Sequence, residues 1–285
     1  MTQSRREVIA LLARHGLRPR RSLGQHFVVD ANTARRIARL AQVGPSDRVV
    51  EIGAGLGSLT LALAETGAEV VAVEVDDDLM APLREVVEPH GVRVVHGDAL
   101  ALDWNTVLDR PVAGSWVLVA NLPYNVATPL VADLLDEVPA IGRMLVMVQH
   151  EVAERLAAGV GDPGYGAVSV KVAYWATARL AGRVASGVFL PEPAVDSSLV
   201  AIERRSAPAV DPAVVEAKAL FRLVRAGFAH RRKMLRGALG GHVEPADFAC
   251  AGVRPEARAE ELDVAAWGRL AACVEERRAG VAGAR

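Results

Sequence analysis

Val49-Val50-Glu51-Ile52-Gly53-Ala54-Gly55-Leu56-Gly57-Ser58-Leu59 passes from an apolar strand through a glycine-rich turn into a helix-like segment. The glycines permit positive-φ turns and let the backbone approach a ligand closely at a helix N-terminus. On either side of this stretch, short apolar runs alternate with helical patterns. The first five strands are predicted at 48–52, 69–74, 92–96, 116–120 and 143–148. This alternation predicts βαβ units and a parallel sheet. Three more strands are predicted at 169–176, 184–189 and 198–203, with a flexible surface loop over 159–164. Upstream, helices at 4–15 and 31–41 flank a basic stretch over 17–27, all within a basic, helical N-terminal segment spanning 1–45. Beyond Ser206-Ala207-Pro208 the pattern turns helical, with helices predicted at 212–226, 230–239 and 263–277. The expected organisation is an α/β domain over 1–207 and a helical domain over 208–285.

A chain of 285 residues, 51% hydrophobic and 24% charged, buries a substantial core and fits a soluble globular class. No run approaches 18 apolar residues and no leader pattern opens the chain, so no membrane partner is expected. Cys250 and Cys273 are the only cysteines and lie well apart, so neither a disulfide framework nor a metal site is expected, and a reducing cytoplasm fits. The net charge of −1 hides an uneven distribution: +7 over 1–39, −12 over 40–178 and +4 over 179–285. Within 218–236, Lys218, Arg222, Arg225, Arg231, Arg232, Lys233 and Arg236 occur without a single acid. Together with N-terminal arginines such as Arg20 and Arg21, they form candidate contacts to the phosphates of a polyanion, which dominate sequence-independent affinity.

The acidic centre points to a small ligand. Glu74 lies 21 residues past Gly53 at the end of the next strand, where a carboxylate can accept from ribose hydroxyls. Asp98 ends the third strand and can accept from an adenine amino group. Gly53 and Gly55 supply the close backbone approach. Lys and Arg are absent from 49 to 83, so a phosphate-rich dinucleotide would have only backbone groups to bind it. A cofactor carrying a sulfonium cation suits the acidic surroundings better, and this favours S-adenosyl-L-methionine.

The reactive stretch is Asn121-Leu122-Pro123-Tyr124, directly after the apolar run Trp116-Val117-Leu118-Val119-Ala120. Loops at the carboxyl ends of parallel strands are where ligands bind in open α/β sheets. The Asn121 side-chain oxygen and the Leu122 carbonyl can accept from an exocyclic amine, Pro123 stiffens the turn, and Tyr124 can stack on the attached base. Such a loop has no role in hydride transfer and a direct one in methylating an amine.

Gly24-Gln25-His26-Phe27, the Glu51–Gly57 turn, Glu74, Gly97-Asp98, Ala120–Asn125, Gln149–Leu156 and Phe189-Leu190-Pro191-Glu192-Pro193-Ala194-Val195-Asp196-Ser197 together resemble the ribosomal RNA adenine dimethyltransferases, and most closely the bacterial small-subunit type. Phe228 through Leu239 resembles that type's C-terminal domain, and the likeness runs from about residue 18 to residue 240. It implies an α/β, Rossmann-like, seven-stranded S-adenosylmethionine-dependent methyltransferase domain followed by a small helical domain. It also implies dimethylation of two adjacent adenosines near the 3′ end of 16S rRNA in the small ribosomal subunit; a cytoplasmic monomer is the expectation set beside it. By position, His26, Val28, Gly53, Glu74, Asp98 and Asn121 match cofactor contacts, with His26 standing where Asn is common and Val28 where Leu is common. Phe189 is expected to stack on the target base opposite Tyr124. The competing readings are a large-subunit adenine methyltransferase conferring macrolide resistance and an assembly factor that acts by docking. A DNA adenine methyltransferase and a nicotinamide dehydrogenase stand further off.

Overall fold

The structure, a computed structural model, describes residues 2–20, 23–109, 112–123 and 126–283. In chain order the elements are α1 (Arg5–Arg14), β1 (Phe27–Val28), α2 (Ala31–Ala41), β2 (Arg48–Ile52), α3 (Ser58–Ala64), β3 (Glu69–Glu74), α4 (Asp77–Val87), β4 (Arg93–His96), α5 (Trp104–Val107), β5 (Trp116–Asn121), α6 (Ala127–Glu137) and β6 (Ile141–Gln149). They continue with α7 (His150–Ala157), α8 (Ala167–Trp175), β7 (Ala176–Val184), β8 (Phe189–Leu190), β9 (Ser197–Arg204), α9 (Ala217–Ala229), α10 (Leu235–Ala238), α11 (Pro245–Ala251) and α12 (Val264–Gly283).

A seven-stranded sheet has the order β4-β3-β2-β5-β6-β9-β7. Pairs β2–β3, β3–β4, β2–β5 and β5–β6 are parallel, and β9 runs antiparallel to β6. Val49, Val50, Val70, Val71, Leu118 and Val119 are buried, as β-branched and apolar strands covered on both faces require. The chain moves outward from β2 to β4 and then returns to β5 on the other side of β2. The order therefore reverses between β2 and β5, and their carboxyl ends open the crevice in which such sheets bind ligands. Glu51 pairs in register with Val119 and Ile52 with Ala120, so the Gly53 turn and Asn121 leave the sheet side by side.

Two smaller features close over this edge. Strand β1 pairs antiparallel with β8, setting Phe27 opposite Leu190 and Val28 opposite Phe189. Helix α1 starts with a reciprocal Ser4–Glu7 cap and packs Val8, Leu11 and Leu12 into a cluster with Phe27, Leu56 and Leu79.

The chain forms two compact units, one of residues 1–153 with 179–204, the other of residues 154–178 with 205–285. The second crossing falls three residues from the division expected at 207, but 154–178 lies in the helical unit. Within that unit Tyr174 packs edge-on against Phe221 at 5.1 Å, and Trp267 is fully buried.

The strand expected at 169–176 is instead helix α8. Val168, Val170, Val172 and Tyr174 alternate with smaller or polar residues and so imitate a strand, but short apolar runs do not fix their own period. The Gly166 amide donates to the Ser169 hydroxyl at the helix start, and that hydroxyl donates to the Arg155 carbonyl at 2.6 Å. The strand follows only at 176–184. Where a strand was expected over 184–189, a tight turn over Ser186–Val188 leads into the two-residue β8. In the helical unit 230–239 contains only the short α10, and α11 was not anticipated.

The cysteine expectation is also corrected: Cys250 and Cys273 form a disulfide, with Cα atoms 6.1 Å apart. Helices α11 and α12 pack together and bring two cysteines 23 positions apart face to face, a proximity that spacing alone does not reveal. No described helix is long and apolar enough to cross a membrane.

Candidate active site

A pocket at the carboxyl ends of β2, β3 and β5 is lined by residues including His26, Val28, Glu51, Gly53, Gly55, Glu74, Asn121, Leu122 and Pro123. The turn after β2 takes positive φ at Gly53 and Gly55. A Cβ on Gly55 would sit 2.9 Å from the Phe27 ring, so no larger side chain fits there. The Gly53 and Ala54 amides both donate to the Val73 carbonyl and the Gly55 amide donates to Glu74, so the turn offers a ligand its bare surface and not free donors.

Asn121 sits at the end of β5, and its Nδ2 donates to the His26 carbonyl at 2.9 Å. Since a carbonyl can only accept, this contact fixes which end of the amide faces it. The Asn121 oxygen is therefore the end left for a donor. Next to it, the Leu122 amide donates to the Met147 carbonyl, while the Pro123 carbonyl accepts from Val126 and Ala127 at the start of α6. The far end of α6 is held by Arg204, whose guanidinium donates to the carbonyls of Leu134, Leu135, Val138 and Ile141. On the opposite side of the site, His26 Nδ1 meets the Pro191 carbonyl at 2.7 Å and must carry the proton. His26 thus links the Asn121 loop to the Phe189–Pro191 segment.

Glu74 is buried at the end of β3. Its Oε2 accepts from the Gly55 amide at 2.8 Å, and its Oε1 from the amides of Val75 and Asp76 at 2.9 Å each. Burial pushes the carboxyl above its ordinary pKa, and these three amides hold it back. A carboxylate offers about four acceptor sites, so roughly one remains, on Oε2, where two ribose contacts were anticipated. Glu51 is buried to 1% exposure in the same pocket, and its Oε2 has no hydrogen-bond partner. Burial is the main cause that lifts its pKa to about 8, the neighbouring Thr60 hydroxyl holds it back and the Glu74 charge adds to the rise.

Other expected residues are placed differently. Asp98 is exposed at the end of β4, where it accepts from the Leu100 amide and does not line the pocket. Phe189 is fully buried in the core cluster with Val28, Val184 and Leu199, so the expected stacking face is not presented. The β1–β8 pairing seats it in the core and corrects that expectation. Tyr124 and Arg21 lie outside the described residues. Arg20 is not a free cation: it pairs with Asp76 at 2.9 Å and also with Asp78. Gln25 donates to the same Asp76 at 2.6 Å, closing a clasp beside Glu74. Asp76 was missed, although an Asp beginning the Asp76-Asp77-Asp78 run is a readable helix cap. Glu51 appeared in the motif without a role.

The other predicted phosphate contacts lie in the helical unit. Arg222 pairs with Glu275, Arg231 with Glu260 and Arg236 with Glu256. Arg225, Arg232 and Lys233 are exposed and make no ion pair among the described residues.

A sheet that is parallel from β4 through β6, with a glycine turn, an acidic strand end and an amide at the switch point, defines a Rossmann-like methyltransferase. The model of the ribosomal RNA adenine dimethylase family matches residues 16–276, and the chain belongs to that family. Ribosomal RNA small subunit methyltransferase A of Thermobifida fusca is 48% identical, the alignment covering 93% of each chain. The protein of the same name from Streptomyces coelicolor is 47% identical, over 93% of this chain and 94% of the relative. Among solved structures, the 23S rRNA methyltransferase ErmE has a TM-score of 0.66 at 26% identity, covering 87% of this chain and 99% of its own. A dimethyladenosine transferase from Plasmodium falciparum shares the fold with a TM-score of 0.69 at 23% identity, covering 86% and 96%. The chain is accordingly a methyltransferase that modifies adenine in ribosomal RNA.

Proposed function

We propose that this enzyme uses S-adenosyl-L-methionine to convert two adjacent adenosines, in a hairpin near the 3′ end of 16S rRNA, to N6,N6-dimethyladenosine. It acts as a cytoplasmic monomer on the small ribosomal subunit. The observation that carries this reading is the orientation of Asn121: the His26 carbonyl holds its NH2, so its oxygen is the free acceptor beside Leu122. The pocket fits the cofactor, since a glycine turn that tolerates no Cβ at Gly55 and a buried Glu51 whose Oε2 has no hydrogen-bond partner suit a nucleoside bearing a positive charge. Gly53, Gly55, Glu74, Val28 and His26 are the residues to hold it, and when bound it supplies an electrophilic methyl group.

The adenine amine is a weak nucleophile because its lone pair is delocalised into the ring. In the first transfer Asn121 and the Leu122 carbonyl accept from its two N–H bonds and in the second from the one that remains, favouring a tetrahedral nitrogen and stabilising the positive charge that develops there, and the proton that each methyl displaces leaves to solvent. Fixing the amine in line for attack recovers about 7–11 kcal/mol of barrier in well-oriented systems. Unstacking the base costs a few kcal/mol, and a single ring such as Tyr124 returns about 1–3. With Phe189 in the core, phosphate contacts must supply the remainder.

The test is incubation with labelled S-adenosyl-L-methionine and unmethylated small or large subunits, followed by nucleoside mapping. Dimethyladenosine in the small subunit alone is the expected result. Label in the large subunit alone would reassign the target, and tight docking without label would point to an assembly factor.

A further inference from the structure

We propose that Glu51 is the counter-charge by which the pocket distinguishes the sulfonium of the methyl donor from the neutral thioether sulfur of its spent product. Its carboxyl is protonated in the free enzyme, gives that proton to solvent as the cation enters, and takes one back once the positive charge has been transferred away. The inference rests on the cofactor assigned above.

Geometry sets Glu51 apart from its neighbour. Glu74 has three backbone amides on its carboxylate, whereas Glu51 Oε2 has no partner, and the nearby strand and helix bring it no cation. Strand β5 carries no charged residue beside Glu51, and α3 contributes only neutral side chains, among them the buried Thr60. From β3 comes a second acid, Glu74. The segment before β1 brings His26, whose Nδ1 proton is engaged by the Pro191 carbonyl. No Lys or Arg is among the described residues lining the pocket. Two buried carboxylates without a cation are unfavourable, and one relieves the strain by staying neutral. Burial raises both carboxyls, but three backbone amides hold the charge on Glu74 while Glu51 Oε2 has none, so the one that stays neutral is Glu51.

The donor and its thioether product share their adenosine and amino-acid portions and differ by a methyl group and one positive charge. A sulfonium favours ionised Glu51, so binding displaces the carboxyl proton to the buffer. The α-ammonium is common to both ligands, so its effect on Glu51 cancels in the comparison; the thioether sulfur carries no charge, so the product leaves Glu51 protonated unless that ammonium is the group that faces it.

Calorimetry of the full chain with S-adenosyl-L-methionine and with S-adenosyl-L-homocysteine, each in buffers of different ionisation enthalpy at pH 7, counts the protons. About one proton released per donor bound and about none per product is the expected result. The donor-to-product affinity ratio should rise by up to about tenfold per pH unit between pH 6 and 8 and level off above. Glu51→Gln, which keeps the shape without the charge, should equalise the two proton counts and flatten the ratio. Should that variant misfold, the unmodified protein still decides the matter. Equal proton counts for both ligands would overturn the role of Glu51 alone, while binding of neither ligand would overturn the cofactor assignment and this inference with it.

Discussion

Asn121 is anchored through one end of its amide so that the other end can work. Replacing it with Ala removes an acceptor aimed at charge that develops only during reaction, so the expected loss is about 10²–10³ in single-turnover rate. Cofactor affinity and subunit docking should stay within a few-fold, and calorimetry with a sedimentation assay checks both. A parallel collapse of cofactor binding would mean that the His26 link holds the pocket together and does not act on the substrate. Phe189 leads to the opposite expectation. Being fully buried, it should cost about 3–5 kcal/mol of folding stability when cut to Ala, because transfer and cavity terms add. Phe189→Leu refills most of the volume and should recover most of that loss in a denaturant titration. If Phe189→Ala unfolds at the wild-type midpoint and only turnover falls, the ring belongs to the substrate after all. Asn121, Gly53, Gly55 and Glu74 were legible in the sequence because each sits at a strand end, where position in the motif fixes position in space. The burial of Phe189, the clasp of Arg20 on Asp76 and the isolation of Glu51 were not, since each depends on which distant segment arrives opposite.

The same division holds for the elements. Strands β2, β3 and β5 are continuous apolar runs between turn signals and could be read almost to the residue. Helix α8 could not, because its even-numbered valines carry a period of two and only packing against Phe221 and its neighbours decides the outcome. Helix α11 escaped notice for a related reason: seven residues are too few to show a period. Its attachment to α12 is strengthened by the Cys250–Cys273 bond, which closes a loop of about two dozen residues. Loop-closure entropy of that size corresponds to about 3 kcal/mol. Adding reductant should therefore lower the thermal midpoint of the wild-type chain, and Cys273→Ser should show the lower midpoint with or without reductant. A wild-type midpoint indifferent to reductant would show that the covalent link adds nothing to the packing of α11 on α12. The same comparison reports how far the helical unit depends on the bond.

At the scale of the whole molecule, a net charge of −1 looks unsuited to a polyanion until the ion pairs are counted. Arg222, Arg231 and Arg236 each face a glutamate. Exposed pairs of this kind contribute only about 0–1 kcal/mol, so they can be exchanged for phosphates, but half their charge is already answered. Arg225, Arg232 and Lys233 make no such pair among the described residues, and their field is available to RNA in full. Each phosphate they neutralise should release condensed counterions, contributing about 0.7–0.9 to the slope of log affinity against log salt. Replacing all three with Gln should therefore flatten that slope by about 2–3 in a filter-binding series across salt concentrations. The matched replacement of Arg222, Arg231 and Arg236 should flatten it less, because their guanidiniums already have carboxylate partners. If the two triple variants lose the same slope, the glutamates do not compete with RNA. If the unpaired three leave the slope unchanged, the polyanion contacts lie elsewhere, and the basic N-terminal segment becomes the next place to neutralise.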